Sequence, residues 1–389
     1  MAERIPLSRP YFDAQELEAV RRVLDSGWVV QGPEVEAFEA EIARLHQARY
    51  CVAVSSGTAA LHVCYLAMGI GFGDSVFIPS FAWPSAANAA KLMGARPVFV
   101  DVLEDSYNID PNDLQRSIER CLDERGPTPR AVVPVHEFGL AADMDRILTI
   151  ASKYSLLVIE DAACALGAKY KAKSVGLFGQ LGILSFHPRK SITTAEGGAI
   201  ITNDQELAER CRCWRNHGQR ISKGQREFAL PGLNYRLTEI QAAIGRVQLG
   251  KFATILEKRR ALVLEYFNRL KHHSGFRLPA DNPEHTWQTL MLLLDNDVDR
   301  ATLIQHLAQD GIETGPGSVA AHLGAQFACD YSLPMSEKLH RRGLALPLHA
   351  GLNVSQISSI VNSLLRHLGE NEPFAARPEN KPPLSAQKL

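Results

Sequence analysis

Between residues 50 and 205 short apolar runs alternate with segments of helical periodicity. The runs are CVAVSS (51–56), SVFIPS (75–80), PVFVDV (97–102), AVVPVH (131–136), LLVIEDAA (156–163), ILSFHP (183–188) and AIITND (199–204). Most are continuous rather than alternating, which predicts strands buried on both faces. Between them, ADMDRILTIASKYS places Met144, Ile147, Leu148 and Ala151 at i, i+3, i+4 and i+7, with Asp143 as a candidate N-cap. Strand–helix alternation of this kind predicts an α/β fold: a large domain with a mainly parallel, seven-stranded sheet flanked by helices.

The pattern changes after about residue 205. ELAERCRCWRNHG reads as a helix ending at Gly218, and QREFALPGLNYRL as a loop. The stretch 238–273 reads as one long helix with Ile240, Ile244, Val247, Phe252 and Ile255 along a stripe. It leads into a smaller α+β C-terminal domain with a strand at 287–294 and helices near 301–310 and 355–368. The expected division is 1–250, a large cofactor-binding domain; 251–370, a small domain; and 371–389, a Pro-rich, aliphatic-poor tail expected to be disordered.

Charge and composition narrow the classes. Lys and Arg total 42 against 43 Asp and Glu, a formal net charge of −1, without the basic surplus of a nucleic-acid or membrane-surface binder. Hydrophobic residues make up 46% of the 389, enough for a sizeable core. Seven cysteines, an odd number without a CxxC pair, argue against a disulfide scaffold or a zinc ribbon. Cys211 and Cys213 are two apart on a helix and do not share a face, so no metal site is expected. The start MAERIPLSRPYF lacks an apolar core, and no uncharged apolar run reaches about 18 residues. The expectation is a cytoplasmic protein.

In an open parallel sheet, ligands bind at the C-terminal strand ends, and four of these ends carry unusual residues. In LSFHPRKSITTAEGGAIIT a strand ends at Ser185 and Lys190 follows; a lysine there either snorkels to solvent or serves chemistry. In VIEDAACALGA, Glu160 and Asp161 end a buried run, either capping the next segment or aiming a carboxylate into the crevice. Ser55, Ser56, Gly57 and Thr58 link a strand to an apolar helix, whose N-terminus suits a phosphate. Phe81 and Trp83 sit at a Pro-bounded turn, as core residues or as a platform for a flat ring. An anion cradle, a stacking aromatic, a carboxylate and a lysine are together what pyridoxal 5'-phosphate requires. Asp161 would keep the ring nitrogen protonated, and Lys190 would hold the cofactor as an internal aldimine and later move the substrate proton.

These residues resemble the DegT-type sugar aminotransferases, a group of fold-type-I pyridoxal phosphate enzymes. The similarity runs through IPLSRPYF, SGWVVQGPEVEAFEAEIA, SSGTAALH, GARPVFVDV, SYNIDP, ADMD, EDAACALGA, SFHPRKSITTAEGG, RNHG and LNYRLTEIQAAIG. It implies the cofactor lysine at Lys190, the ring-nitrogen acid at Asp161, and phosphate contacts at Gly57, Thr58, Ala59 and Ser185. It also implies a stacking aromatic at Trp83, and Asn234 reaching the phosphate in a neighbouring subunit, hence a homodimer. The implied reaction transfers an amino group from a donor amino acid, expected to be L-glutamate, to a keto sugar, expected to be nucleotide-diphosphate-linked, in amino-sugar and polysaccharide biosynthesis. The chain departs from the family pattern at several positions. Cys164 stands where Gln or His is common near the cofactor's phenolic oxygen. Ala195 replaces a common Gly, and Gly317 and Ser318 stand where a His-Tyr pair is frequent, although His322 remains. Glu137 and Leu140 also differ from the usual apolar and Gln residues. His187, His217, Arg189 and Arg236 each have a structural reading beside a functional one. Two other activities share the scaffold: a sugar dehydratase, in whose relatives a histidine replaces the lysine retained here, and a non-catalytic regulator, which would have a broken cofactor site.

Overall fold

In the computed structural model, which describes residues 4–369 except 125, 223 and 328, the seven apolar runs pair into a single sheet. Its strands lie in the order Tyr50–Val54, Gly198–Thr202, Leu181–Ser185, Leu157–Asp161, Thr128–Val132, Asp74–Pro79, Arg96–Val100. Gly198–Thr202 is antiparallel to both its neighbours, and the remaining pairs are parallel. Six strands therefore point the same way. The reversed strand begins where two of them end, with Gly198 opposite both Val54 and Ser185. The strand ends that carry the unusual residues thus share one edge.

The runs are continuous because both faces are covered. On one face packs the helix Gly57–Met68, apolar nearly all round, with Ser85–Leu92 and Gln205–Arg215 beside it. On the other lie Pro33–His46 and Glu239–Gly250, then Pro111–Asp123 and Met144–Lys153. The expected stripe of the last helix holds, with Met144, Ile147 and Ala151 buried and the Asp143 carboxylate accepting the Arg146 N–H. A second core forms on the three-stranded antiparallel sheet Phe276–Arg277, Leu290–Leu294, Gly343–Leu346, under the helices Phe252–Leu270, Arg300–Gln309 and Val354–His367. Ile5 belongs to this second core, its N–H bonding the Gly311 carbonyl. Among the described residues no helix is long and apolar enough to cross a membrane.

The structure departs from the sequence reading in several places. The helix expected over 238–273 is two, Glu239–Gly250 and Phe252–Leu270, broken at Lys251. Gly250 weakens the helix there, and the Lys251 ammonium is drawn to Asp13 and Glu16 of the N-terminal segment. The first of these helices buries Ala242, Ala243 and Gly245, while Ile240 and Val247 only half-bury against Ala19 and Val23. The segment read as a loop contains half of a hairpin, Gln219–Ser222 with Gln225–Phe228, whose polar, largely exposed residues hide any strand signal. The fourth run ends as a strand at Val132, before Pro134, which has no N–H to donate. Residues 287–289 precede the strand that starts at Leu290, because the backbone there bonds to Phe138 and Gly139 instead. The expected disordered tail, 371–389, lies outside the described residues.

Candidate active site

The strand edge closes over a cavity of about 460 Å3 that gathers residues from all four unusual ends. At one end Ser56 caps the Gly57–Met68 helix, its Oγ accepting the Ala59 N–H at 3.0 Å. The N–H groups of a helix's first turn lack intrahelical acceptors and face outward with partial positive charge. The backbones converge tightly here. A Cβ on Gly57 would lie 3.1 Å from Ser185 Cβ, and one on Gly198 2.5 Å from the Ser56 carbonyl. Thr58 Oγ1 bonds Ser85 Oγ at 3.2 Å, and Ser56, Gly57, Thr58, Ser85 and Ser185 all line the cavity. Ala59 does not; it is buried, with its N–H already taken by Ser56.

Lys190 and Asp161 line the same cavity. Asp161 ends its strand, its Oδ1 accepting the Ala163 N–H at 3.0 Å. Burial pushes its carboxyl above the ordinary value, against the lowering effect of that N–H, of Lys190 and of His136. Lys190 follows the turn through Pro188, where its N–H bonds the His187 carbonyl at 2.8 Å. Its Nζ donates to Cys164 Sγ at 3.0 Å. Burial alone would lower the Lys190 ammonium, but Cys164, Asp161 and Glu137 together hold it above its usual range. The Cys164 thiol is itself pushed up by burial. Trp83 stands 68% exposed in the cavity wall, whereas Phe81 is fully buried against Tyr107 and Phe138 and is core.

Glu160 and Asp161 have opposite fates. Glu160 is fully buried, accepting the N–H groups of Gly176, Phe178 and Gly179 and pairing with His136 at 3.0 Å. It organises loops away from the cavity. Asn234 is exposed and does not line this cavity; it pairs with Asn216 and accepts the Arg236 N–H at 3.5 Å. Arg236 bonds Asn216, and His217 bonds Leu233 through its backbone. His187 lines the cavity, but its Nδ1 accepts the Arg189 N–H at 3.2 Å, closing the turn. Arg189 also lines it, while His322 lies outside, bonded to Ser80 Oγ at 2.5 Å. Ala195 sits at φ +66°, a left-handed position that accounts for a preference for glycine there.

Ser85, Glu196, Gln288 and Thr289 line the cavity without being expected as site residues, and Glu137 and Ser318 stood out only as departures from the family pattern. Glu137 was legible in principle, as a carboxylate just beyond the run AVVPVH in the manner of Asp161 after LLVI. Gln288 and Thr289, just before the strand Leu290–Leu294, carry no local signal. Burial pushes the Glu137 carboxyl up to about 8; Asp161 adds to this, while Lys190 and a hydrogen bond to Ser318 oppose it. The residues present fit pyridoxal phosphate. A lysine and a buried carboxyl share one cavity with an amide-rich helix start where a Cβ on Gly57 would crowd Ser185 and one on Gly198 would clash with the Ser56 carbonyl.

The sequence profile of the DegT/DnrJ/EryC1/StrS aminotransferase family matches residues 10–365. Solved structures agree along nearly the whole chain. A DegT DnrJ EryC1 StrS aminotransferase from Brucella abortus is 33% identical with a TM-score of 0.86, over 92% of this chain and 96% of its own. DesV from S. venezuelae, solved in complex with a ketimine intermediate, is 34% identical with a TM-score of 0.86, over 95% and 100%. PseC from Helicobacter pylori, an aminotransferase involved in the biosynthesis of pseudoaminic acid, is 26% identical with a TM-score of 0.87, over 95% and 100%.

Proposed function

The chain belongs to the DegT/DnrJ/EryC1/StrS aminotransferase family, and from that membership we propose that it aminates a nucleotide-diphosphate-linked keto sugar with L-glutamate as donor, in amino-sugar and polysaccharide biosynthesis. It is a pyridoxal-phosphate-dependent aminotransferase. The observation that carries the site assignment is the convergence of Lys190, Asp161, Gly57, Thr58 and Ser185 in one cavity.

When bound, the cofactor supplies an electron sink for the carbon being deprotonated. In this reading Gly57 and Thr58 offer backbone N–H groups to its phosphate, with Ala59 continuing the turn and the hydroxyl of Ser185 beside them. Asp161 holds the proton on the ring nitrogen; its low exposure of 7% strengthens that pairing, and the Ala163 N–H orients it. Trp83, exposed in the cavity wall, would supply an aromatic face for the ring. Lys190 Nζ would hold the cofactor covalently and is placed to move the proton at the substrate carbon. Cys164 Sγ sits in hydrogen-bond range of that amine. Asn234, exposed in its own chain, acts across a homodimer interface on the neighbouring phosphate. The proposed division is 1–250 as the cofactor domain and 251–370 as the small domain; Ile5 packs into the core of the second, and Phe252 and Ile255 into that of the first. Seven free cysteines accord with a reducing, cytoplasmic setting.

Borohydride reduction of the holoenzyme followed by peptide mass spectrometry should fix the cofactor on Lys190, and Lys190→Ala should abolish transamination. A Lys190 left unmodified, or an active alanine variant, overturns the assignment. A panel of nucleotide-linked keto sugars with L-glutamate, read by product mass, identifies the acceptor. A deoxygenated product in place of an aminated one would refute transamination.

A further inference from the structure

Glu137 is a buried acid in the reaction cavity that the chemistry above does not use. It is only 4% exposed, yet it borders the same space as Lys190. A carboxyl in such a place is costly unless a partner meets it. Ser318 lines the same cavity, and its side chain counters the upward push of burial on the Glu137 carboxyl.

The segment that carries it is held from several sides. The Glu137 N–H donates to Asn108 Oδ1 at 2.8 Å, and the Phe138 and Gly139 carbonyls accept the Gln288 and Thr286 N–H groups at 2.8 and 3.0 Å. Gln288 Nε2 in turn donates to the Arg189 carbonyl at 2.9 Å, bracing this loop against the Lys190 turn. Phe138 is held at φ +55°, an unfavourable conformation for a bulky residue that persists only where its surroundings impose it. Ser318 follows Gly317 at φ +75°, where a Cβ would lie 2.5 Å from Met291 Sδ. The two side chains are thus placed by rigid backbone, as a preorganised recognition site requires.

The geometry points to Glu137 and Ser318 as a hydroxyl-recognition subsite, binding a hydroxyl group close to the carbonyl of the acceptor. A ligand carboxylate at this wall would face the acids Glu137 and Asp161. A ligand ammonium would bring a second cation towards Lys190. A neutral hydroxyl can donate to the carboxylate or accept from the protonated acid, so it suits either state without burying new charge. A site with buried groups waiting for a substrate hydroxyl discriminates strongly against the analogue that lacks it. The inference rests on the transamination reading given above.

The test uses holoenzyme converted to its amine form and two probe ketones that differ by one hydroxyl, 1-hydroxybutan-2-one and butan-2-one. Single-turnover return of the aldehyde-form spectrum gives each rate. Wild type should favour the hydroxyketone by tenfold or more, and the ratio should fall to within about twofold of one in Glu137→Leu. Ser318→Ala, a truncation that removes a single hydroxyl, should lower the ratio at least threefold and decides the matter should the leucine variant not fold. Thermal stabilisation of the cofactor-free protein by the two ketones should separate in the same order. A wild type without the preference, by turnover or by binding, overturns the subsite, as does a preference that survives in both variants. Failure of borohydride to fix the cofactor on wild-type Lys190 would instead sink the transaminase assignment.

Discussion

Glu137→Gln in the cofactor-free protein isolates the electrostatic cost of an acid built into the cavity. The substitution preserves shape and hydrogen-bonding reach and removes the titration. The carboxyl is held at about 8 in the fold against an ordinary 4.5. Below about 4.5 both folded and unfolded chains carry its proton, and it costs nothing. As pH rises, the unfolded chain releases that proton first, so stability falls continuously until about 8 and then levels. The gap is about 3.5 pH units at about 1.4 kcal/mol each, an upper bound of about 5 kcal/mol; water entry and side-chain relaxation reduce the expected loss to about 2–4 kcal/mol. Asp161, also raised by burial, shifts in the same direction in both proteins. Lys190 is raised too, but its stabilising contribution is present below its ordinary 10.5 and is lost only at higher pH, outside this window. The assay is urea unfolding of wild type and Gln variant at one fixed protein concentration, at pH 5 and pH 8.5. The Gln variant should gain about 2–4 kcal/mol on wild type between the two conditions. Parallel behaviour, with the gap changing by less than about 0.5 kcal/mol, would refute the placement of a buried acid raised by burial in this cavity.

Other consequences are equally open to measurement. Glu160→Gln removes the acceptor of three backbone N–H groups and the partner of His136; it should cost about 2–4 kcal/mol in urea unfolding, and a loss below about 1 kcal/mol would count against the network. Gly198→Ala forces a Cβ to within 2.5 Å of the Ser56 carbonyl; cofactor retention on equilibrium dialysis should weaken at least about tenfold, and unchanged retention would show that the turn does not bind phosphate. Ala195→Gly relieves a residue at φ +66° and should raise stability by about 0.5 kcal/mol, whereas a destabilised variant would contradict strain there. Asp161→Asn should keep cofactor on Lys190 under borohydride yet lower the rate of the L-glutamate half-reaction at least about a hundredfold; a rate within threefold of wild type would remove Asp161 from its assigned role.

The central sheet was legible because burial on both faces leaves an unmistakable mark, a continuous apolar run ending at a polar residue. Ile159–Glu160–Asp161 and Leu184–Ser185 are such ends, and they led directly to the cavity. The stretch 238–273 reads as one helix because its apolar positions continue through Lys251; Gly250 is a local weakness there, and the acids that draw Lys251, Asp13 and Glu16, lie more than 230 positions away. The hairpin at 219–228 escaped because exposed strands need no alternation of burial. Glu160 and Asp161 are adjacent and chemically alike. Only their surroundings separate a loop-organising acid from a cavity acid, because successive strand residues face opposite sides of a sheet.

By itself, the sequence determined the layered α/β architecture and the strand edge at which Lys190, Asp161 and the Ser56–Gly57–Thr58 turn line one cavity. These follow from local rules: periodicity, helix-start chemistry and the cost of placing a charge at the end of a buried strand. Tertiary structure alone decided which other groups join them. Gln288, Thr289 and Ser318 reach the cavity because the second unit's backbone bonds to Phe138 and Gly139. Cys164 meets Lys190 because two loops, 26 residues apart, close over one strand edge. The approach of Gln288 and Thr289 leaves no trace in local sequence, because it is not made by neighbours along the chain, and Cys164 and Ser318 stand out in the sequence only through the family resemblance.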